Sequence, residues 1–310
     1  MTMNGMELSR DFFEKNRTGF MEKFPEVYER MAVGLVGEGS ECFGYDDDIS
    51  KDHDYEPSFC IWLNESDYGR FSDAIQEYYL SLKNPEEDVF FSAYGKDRRG
   101  VFGIDSFYKS KTGGSKGPEK LVDWLFVPEH SLAEAVNGEV FYDGLGVFSD
   151  IRSKLLQGYP EDVRKKKIAA RAALMAQSGQ YNYRRCLLHG EEGAARLALD
   201  EFVRHSIHMV YLLNNEYCPY YKWMLRKMGQ LEVLGELENG LTALLCAPDT
   251  EENIQVKQNI IEQVSAQIAM EMKVQKLTDA ESDYLESHAF SVMEHIEDEK
   301  LRNLHVMAGV

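Results

Sequence analysis

No apolar run in this chain approaches the about 18 residues that a membrane-crossing helix needs. The first ten residues, Met1–Arg10, contain no apolar signal core either. Cysteine is sparse and scattered. Cys42, Cys60, Cys186, Cys218 and Cys246 form no CxxC pair and are odd in number, which argues against a zinc knuckle or a disulfide framework. His189, His205 and His208 make no i, i+4 pair with a carboxylate motif, so no zinc site is expected. Positive charge is also in deficit, with 34 Lys and Arg against 53 Asp and Glu and a formal net charge of -19. A surface so acidic repels duplex DNA and anionic membranes, both of which are bound through Lys and Arg. No Gly-x-Ser-x-Gly elbow is present and no lysine follows the glycines as in a P-loop, which removes the serine-hydrolase and P-loop readings. These absences predict a cytoplasmic protein with reduced thiols.

What is present is the composition of a folded globular chain, with 44% hydrophobic and 12% aromatic residues. A length of 310 residues suits two domains. The spacing predicts short helices over Met6–Arg17 and Phe24–Met31, with Pro25 in a first helical turn. Buried strands follow at Ala32–Val36 and Ser58–Leu63, the second beginning near Asp52. A helix is expected over Asp67–Leu82, a hairpin from Val89–Tyr94 and Val101–Ile104, and a surface loop at Lys111–Pro118. From Asp150 the glycines thin out. Helices are expected at Val163–Ser178, Gly193–Asn214, Tyr220–Glu238, Glu251–Leu277 and Asp279–His305. The expected fold is therefore α+β: a mixed sheet with flanking helices over residues 1–150, then an all-α helical bundle over residues 151–310.

Chemistry concentrates near the first strand. Gly37-Glu38-Gly39-Ser40 is a turn that follows an apolar strand, and such a turn offers backbone N–H groups and a hydroxyl to a phosphate. Residues 41–51 separate it from Asp52-His53-Asp54. Two carboxylates at i and i+2 on a strand share a face. They repel each other, and a divalent cation between them relieves that repulsion; magnesium takes one or two carboxylates together with substrate phosphates. His53 points to the other face and reads as a core histidine. Taken singly, a Gly-Ser turn is most often only a turn, and an Asp-x-Asp only a solvated pair.

Together, Gly39-Ser40 and Asp52-x-Asp54 resemble the signature of the nucleotidyltransferase superfamily, the polymerase-beta-like fold. The wording Ser50-Lys51-Asp52-His53-Asp54-Tyr55 is similar to that of an uncharacterised bacterial branch, a domain of unknown function. So are Gly138–Asp143, Gln180–Arg185 and Leu212–Trp223, and the resemblance covers roughly residues 30–230. It implies a nucleotidyltransferase-like mixed sheet and a helical domain closing over a nucleotide. It implies transfer of a nucleoside monophosphate from an NTP, ATP among the possible donors, to a hydroxyl of a small molecule or protein. On this reading Asp52 and Asp54 hold Mg2+, two ions at most, and Asp105 is the best-placed third carboxylate. Gly39 and Ser40 hold phosphates. Arg185 and Lys222 neutralise charge, with surface ion pairing or packing as the alternatives. Tyr181 and Asn182 line the base or ribose pocket, or else pack and cap a helix. Asp143 and Arg152 are expected to pair structurally. The other functional class is a catalytically silent nucleotide-binding or regulatory protein, antitoxin-like in role.

Overall fold

The computed structural model describes residues 3–47, 57–83 and 98–310. Two compact units divide the chain: Met1–Glu119 with Ser131–Gln157, and Lys120–His130 with Gly158–Val310. The main division thus falls a few residues after the position near 150 expected from composition, and an eleven-residue stretch, 120–130, joins the second unit ahead of it.

The first unit opens on α1 (Gly5–Lys23). The Asn4 side chain accepts from the Glu7 amide while Glu7 reaches back to Asn4, a reciprocal cap that satisfies two orphan donors. The helix runs to Lys23, a turn and a half beyond Arg17, and Pro25 opens the short α2 (Pro25–Tyr28) as its sequence suggests. There follow β1 (Ala32–Leu35), β2 (Cys60–Leu63), α3 (Glu65–Ser81), β3 (Gly100–Gly103), α4 (Ile104–Thr112), α6 (Glu129–Val136), whose first two residues are counted with the second unit, β4 (Glu139–Asp143) and α7 (Val147–Leu155); the six-residue α5 (Leu121–Phe126) belongs to the second unit.

The strands form one mixed sheet in the order β3-β2-β1-β4. β1 is antiparallel to both β2 and β4, whereas β2 and β3 are parallel. Val89–Tyr94, the expected hairpin partner of Val101–Ile104, lies outside the described residues; among these, β3 pairs with β2. Lys111 belongs to the last turn of α4 and not to a surface loop. Alternation sorts the strands' side chains between two faces. Val33, Ile61, Leu63 and Val101 pack with Phe13, Phe20, Val27, Ile75 and Tyr79 of α1, α2 and α3. On the opposite face Trp62 stacks on Phe148 at 4.1 Å, with Phe107 edge-on at 5.5 Å. At Gly34, where the β1–β4 register shifts, a Cβ would lie 2.4 Å from the Glu139 carbonyl oxygen, so only glycine lets the strands approach.

The second unit is helical. After α5 come α8 (Glu161–Met175), a π-helix (Ala176–Tyr183), α9 (Arg184–Leu188), α10 (Glu192–Leu213), α11 (Tyr221–Met228), α12 (Leu237–Cys246), α13 (Glu251–Val274), α14 (Leu285–Glu294) and α15 (Glu299–Arg302). The expected helix over Tyr220–Glu238 ends at Met228. The turn beyond it carries Leu234 at φ 57, a left-handed backbone that interrupts the helical run. Asp279–His305 likewise splits into α14 and α15. The long predicted helix Val163–Ser178 passes into the wider π-helical turns at Ala176, a widening that the apolar periodicity does not signal.

Phe59, fully buried, meets the rings of Phe12, Phe13, Phe20 and Tyr79 at 5.6, 5.5, 6.0 and 5.0 Å. Phe59→Ala should cost about 3–5 kcal/mol in urea unfolding of the full chain. A loss under about 1 kcal/mol would place the core of this unit elsewhere.

Candidate functional site

β1 delivers the chain into the turn Gly37–Ser40. Gly37 and Gly39 have φ of 116 and 119, which L side chains rarely adopt. Asn137 clamps the turn from both sides: the Gly37 N–H donates to Asn137 Oδ1 (2.8 Å), and Asn137 Nδ2 donates to the Gly37 carbonyl (2.7 Å). A single helical turn, Glu41–Phe43, follows, and the Ser40 hydroxyl makes no cap to it. Among the described residues the amides of Gly39 and Ser40 also have no hydrogen-bond partner.

Three cations surround it. Arg98 contacts the Glu38 carboxylate at 3.0 Å, and Lys111 reaches the same carboxylate at 3.1 Å and Glu134 at 2.6 Å. Arg99 donates to the Glu38 carbonyl at 2.7 Å and pairs with Glu41 at 2.5 Å. Burial raises the Glu38 pKa, but Lys111 and then Arg98 outweigh it and hold the carboxyl below its ordinary range. Burial pushes the Cys42 thiol up to about 12, and Cys60 shifts the same way, so both are neutral thiols packed against the Arg99 guanidinium. Sequence reading missed all three cations. Two of them flank the start of β3 and one ends α4, and only the sheet order brings them to the turn exiting β1.

Asp52 and Asp54 lie outside the described residues. Pro57–Phe59 lead into β2 at the sheet end where β1 leaves, since Gly34 pairs with Cys60 and Ala32 with Trp62. Asp105 is not brought to that end. β3 starts beside Cys60 and runs parallel to β2, so Gly103 pairs with Leu63 and Asp105 opens α4 at the far end of the sheet. The parallel pairing separates it from Gly39 and Ser40 by the length of the strands. Asp143 and Arg152 likewise take different partners. Asp143 accepts from the Gly146 and Ser149 amides, and Arg152 donates to the carbonyls of Asn137 and Gly138.

The remaining predicted residues are in the second unit. Tyr181 and Asn182 lie in the π-helix. Arg185 lies one turn on, with its guanidinium 5.0 Å from the exposed Tyr181 ring. Lys222, exposed in the first turn of α11, sits 4.8 Å from the Trp223 ring.

The second unit also holds a buried polar network. Glu129 accepts from Arg171 at 3.0 Å through Oε1, and Lys167 is 3.6 Å from the same oxygen. Its Oε2 is 2.8 Å from His208 Nδ1. Burial alone would raise the Glu129 pKa; His208, then Lys167 and Arg171, more than reverse this and hold it ionised. Arg171 also reaches His205 Nδ1 at 2.9 Å. Arginine can only donate, so that nitrogen accepts and His205 is neutral. Burial, followed by the Arg171 charge, depresses the His205 pKa to about 3. The Cys218 thiol is buried beside Glu129 and His208, with all three potential ligand atoms within 4.8 Å of one another.

The fold and these two clusters define an α+β protein with a glycine turn amid ion pairs in one unit and a buried charged network in the other. Residues 124–224 match a family model described as a domain of unknown function, DUF4037. Every residue of the buried network falls within that match, and Gly39 and Ser40 fall outside it. No curated protein matches the chain. Among solved structures, a nucleotidyltransferase-like protein from Exiguobacterium sibiricum 255-15 aligns at 12% identity with a TM-score of 0.36, covering 91% of this chain and 89% of that one. A likeness at that level does not establish a shared fold. Among the described residues no helix is long and apolar enough to cross a membrane.

His205 binds its proton less readily folded than unfolded, where its pKa is ordinary, near 6.5. Its contribution to stability is complete above that value and is lost as pH falls from about 6.5 toward 3. At about 1.4 kcal/mol per pH unit, the loss reaches about 2 kcal/mol by pH 5. Urea unfolding of wild type and His205→Gln at pH 7 and pH 5 should show a smaller pH dependence in the variant. Equal pH dependence in the two would refute a neutral His205.

Proposed function

We propose that the first unit binds a nucleoside triphosphate at the Gly37–Ser40 turn and transfers its nucleoside monophosphate to a hydroxyl acceptor, a small molecule or a protein; the acceptor oxygen bonds to the α-phosphorus, the bond to the β-phosphate breaks, pyrophosphate leaves and the hydroxyl proton passes to solvent. The observation that supports this is the juxtaposition at one sheet end: the amides of Gly39 and Ser40, without a hydrogen-bond partner among the described residues, the cations Arg98, Arg99 and Lys111 around them, and the lead into β2 from Pro57. Pro57 comes three residues after Asp54 in the sequence. Gly39 and Ser40 would donate hydrogen bonds to phosphate oxygens, and the surrounding guanidinium and ammonium groups would offset their charge. The donor set of Asp52 and Asp54, two hard carboxylates, suits magnesium, which when bound would neutralise phosphate charge and polarise the reacting oxygens. Roles for Tyr181, Asn182, Arg185 and Lys222 rest on the family resemblance alone.

One observation favours the second reading, a nucleotide-binding protein without turnover: Asp105 opens α4 at the opposite end of the sheet, so the third carboxylate of an active transferase is not supplied from there. The two readings separate in a pair of measurements. Calorimetric titration should show triphosphate binding strengthened by magnesium, and Ser40→Ala should weaken it by about 1.5 kcal/mol, roughly tenfold. Transfer of labelled nucleotide to an acceptor panel that includes the protein itself should disappear in Asp52→Asn with Asp54→Asn. Binding with no transfer by wild type would select the silent reading. No binding with or without magnesium would reject both.

A further inference from the structure

Glu129, His208 and Cys218 come from the start of α6, from α10 and from the segment between α10 and α11, so no local spacing could have announced them. A carboxylate, an imidazole and a thiol meeting in a protein interior are a borderline-soft donor set, suited to zinc and poorly suited to magnesium or calcium. The carboxylate and imidazole are close to ligand spacing, and the Cys218 Sγ lies within 4.8 Å of both. Two nitrogen or oxygen ligands bound at about 2.0 Å to a tetrahedral ion lie about 3.3 Å apart. Glu129 Oε2 and His208 Nδ1 are 2.8 Å apart, so a shift of about half an ångström would admit an ion between them. Arg171 is bonded to the other carboxylate oxygen, Oε1, where a donor orients a ligating carboxylate without competing for the ion.

A second observation points to the same place. The Tyr159 hydroxyl is buried, with the residue 5% exposed, and has no hydrogen-bond partner among the described residues. Its ring meets that of Tyr217, the residue before Cys218, edge-on at 4.9 Å, and Glu129, Tyr217, Cys218 and Arg171 are its electrostatic neighbours. A buried hydroxyl without a partner costs stability unless something occupies the space before it. We propose that Glu129, His208 and Cys218 form a zinc site in the second unit, with the Tyr159 hydroxyl orienting the fourth position. On loading, a Zn–S bond forms and the Cys218 thiol releases its proton to solvent; a Zn–N bond forms and His208 gives up the Nδ1 proton that faces Glu129, keeping one proton on Nε2. Lys167 is also held by the carbonyls of Gly309 (3.1 Å) and Leu125 (3.5 Å), so it does not depend on Glu129 alone.

The test uses full-length protein stripped with chelator and titrated with cobalt and then zinc. Cobalt should give a thiolate charge-transfer absorption that saturates at one equivalent. Zinc should displace that signal and raise Tm by several degrees, and excess magnesium should do neither. Cys186→Ser with Cys246→Ser removes the two less-buried thiols and should leave the signal intact. Cys218→Ser and His208→Gln should each weaken zinc binding at least tenfold. Should Cys218→Ser fail to fold by circular dichroism, His208→Gln carries the ligand test. Failure of the folded wild type to take up one equivalent of either metal overturns the proposal. So does a cobalt signal that persists in folded Cys218→Ser or disappears with Cys186 and Cys246. None of these results depends on nucleotide binding.

Discussion

The pairing of β1 between β2 and β4 is the constraint on which the first unit depends. Because β1 and β2 are antiparallel, the exit of one and the start of the other share a sheet end. Because β2 and β3 are parallel, that end also receives Arg98 and Arg99, while Asp105 is carried away. The row Val101–Ile61–Val33–Tyr142 fixes the register, and its apolar members pack on the aromatic layer of α1 and α3. A slip of one residue would exchange the two buried faces, setting Trp62 against α1 and α3 and Ile61 against Phe148. Gly34 admits the close approach of β4, and Asn137, just ahead of β4, holds the Gly37 peptide.

Much of this architecture was legible in the residues. Four-residue strands rich in Val, Ile, Leu and Trp announced β1 and β2, and Pro25, Asn4 and Asn64 mark helix starts by familiar capping chemistry. The Gly-Ser turn was legible because glycine at positive φ leaves a local signature. Two kinds of feature were not. Pairing direction depends on contacts distant in the chain, so Asp105 read as a neighbour of the turn when it lies at the other end. Helix interruptions at Leu234 and at the π-helical Ala176–Tyr183 leave no mark in the apolar periodicity.

The second unit shows the same limit more sharply. Lys167 and Arg171, four residues apart on α8, present two cations to the interior, and the stretch 120–130 returns a single carboxylate, Glu129, to meet them. Removing that carboxylate would leave two buried charges without a counterion, a far larger cost than losing a surface ion pair. This network, and not the Gly-Ser turn, lies within the match at 124–224 to a domain of unknown function. Its residues are ordinary one by one in sequence; only the fold gathers Glu129, Arg171, His205, His208 and Cys218.

The claim that the exit of β1 is the nucleotide site is tested most directly by mapping backbone amide shifts in isotopically labelled protein as ATP and magnesium are added. The account predicts the largest changes at Gly37–Cys42 and Phe59–Cys60, with Asp105–Tyr108 at the far end of the sheet unmoved. Saturable binding that shifts Asp105–Tyr108 and leaves Gly39 and Ser40 unchanged would contradict it.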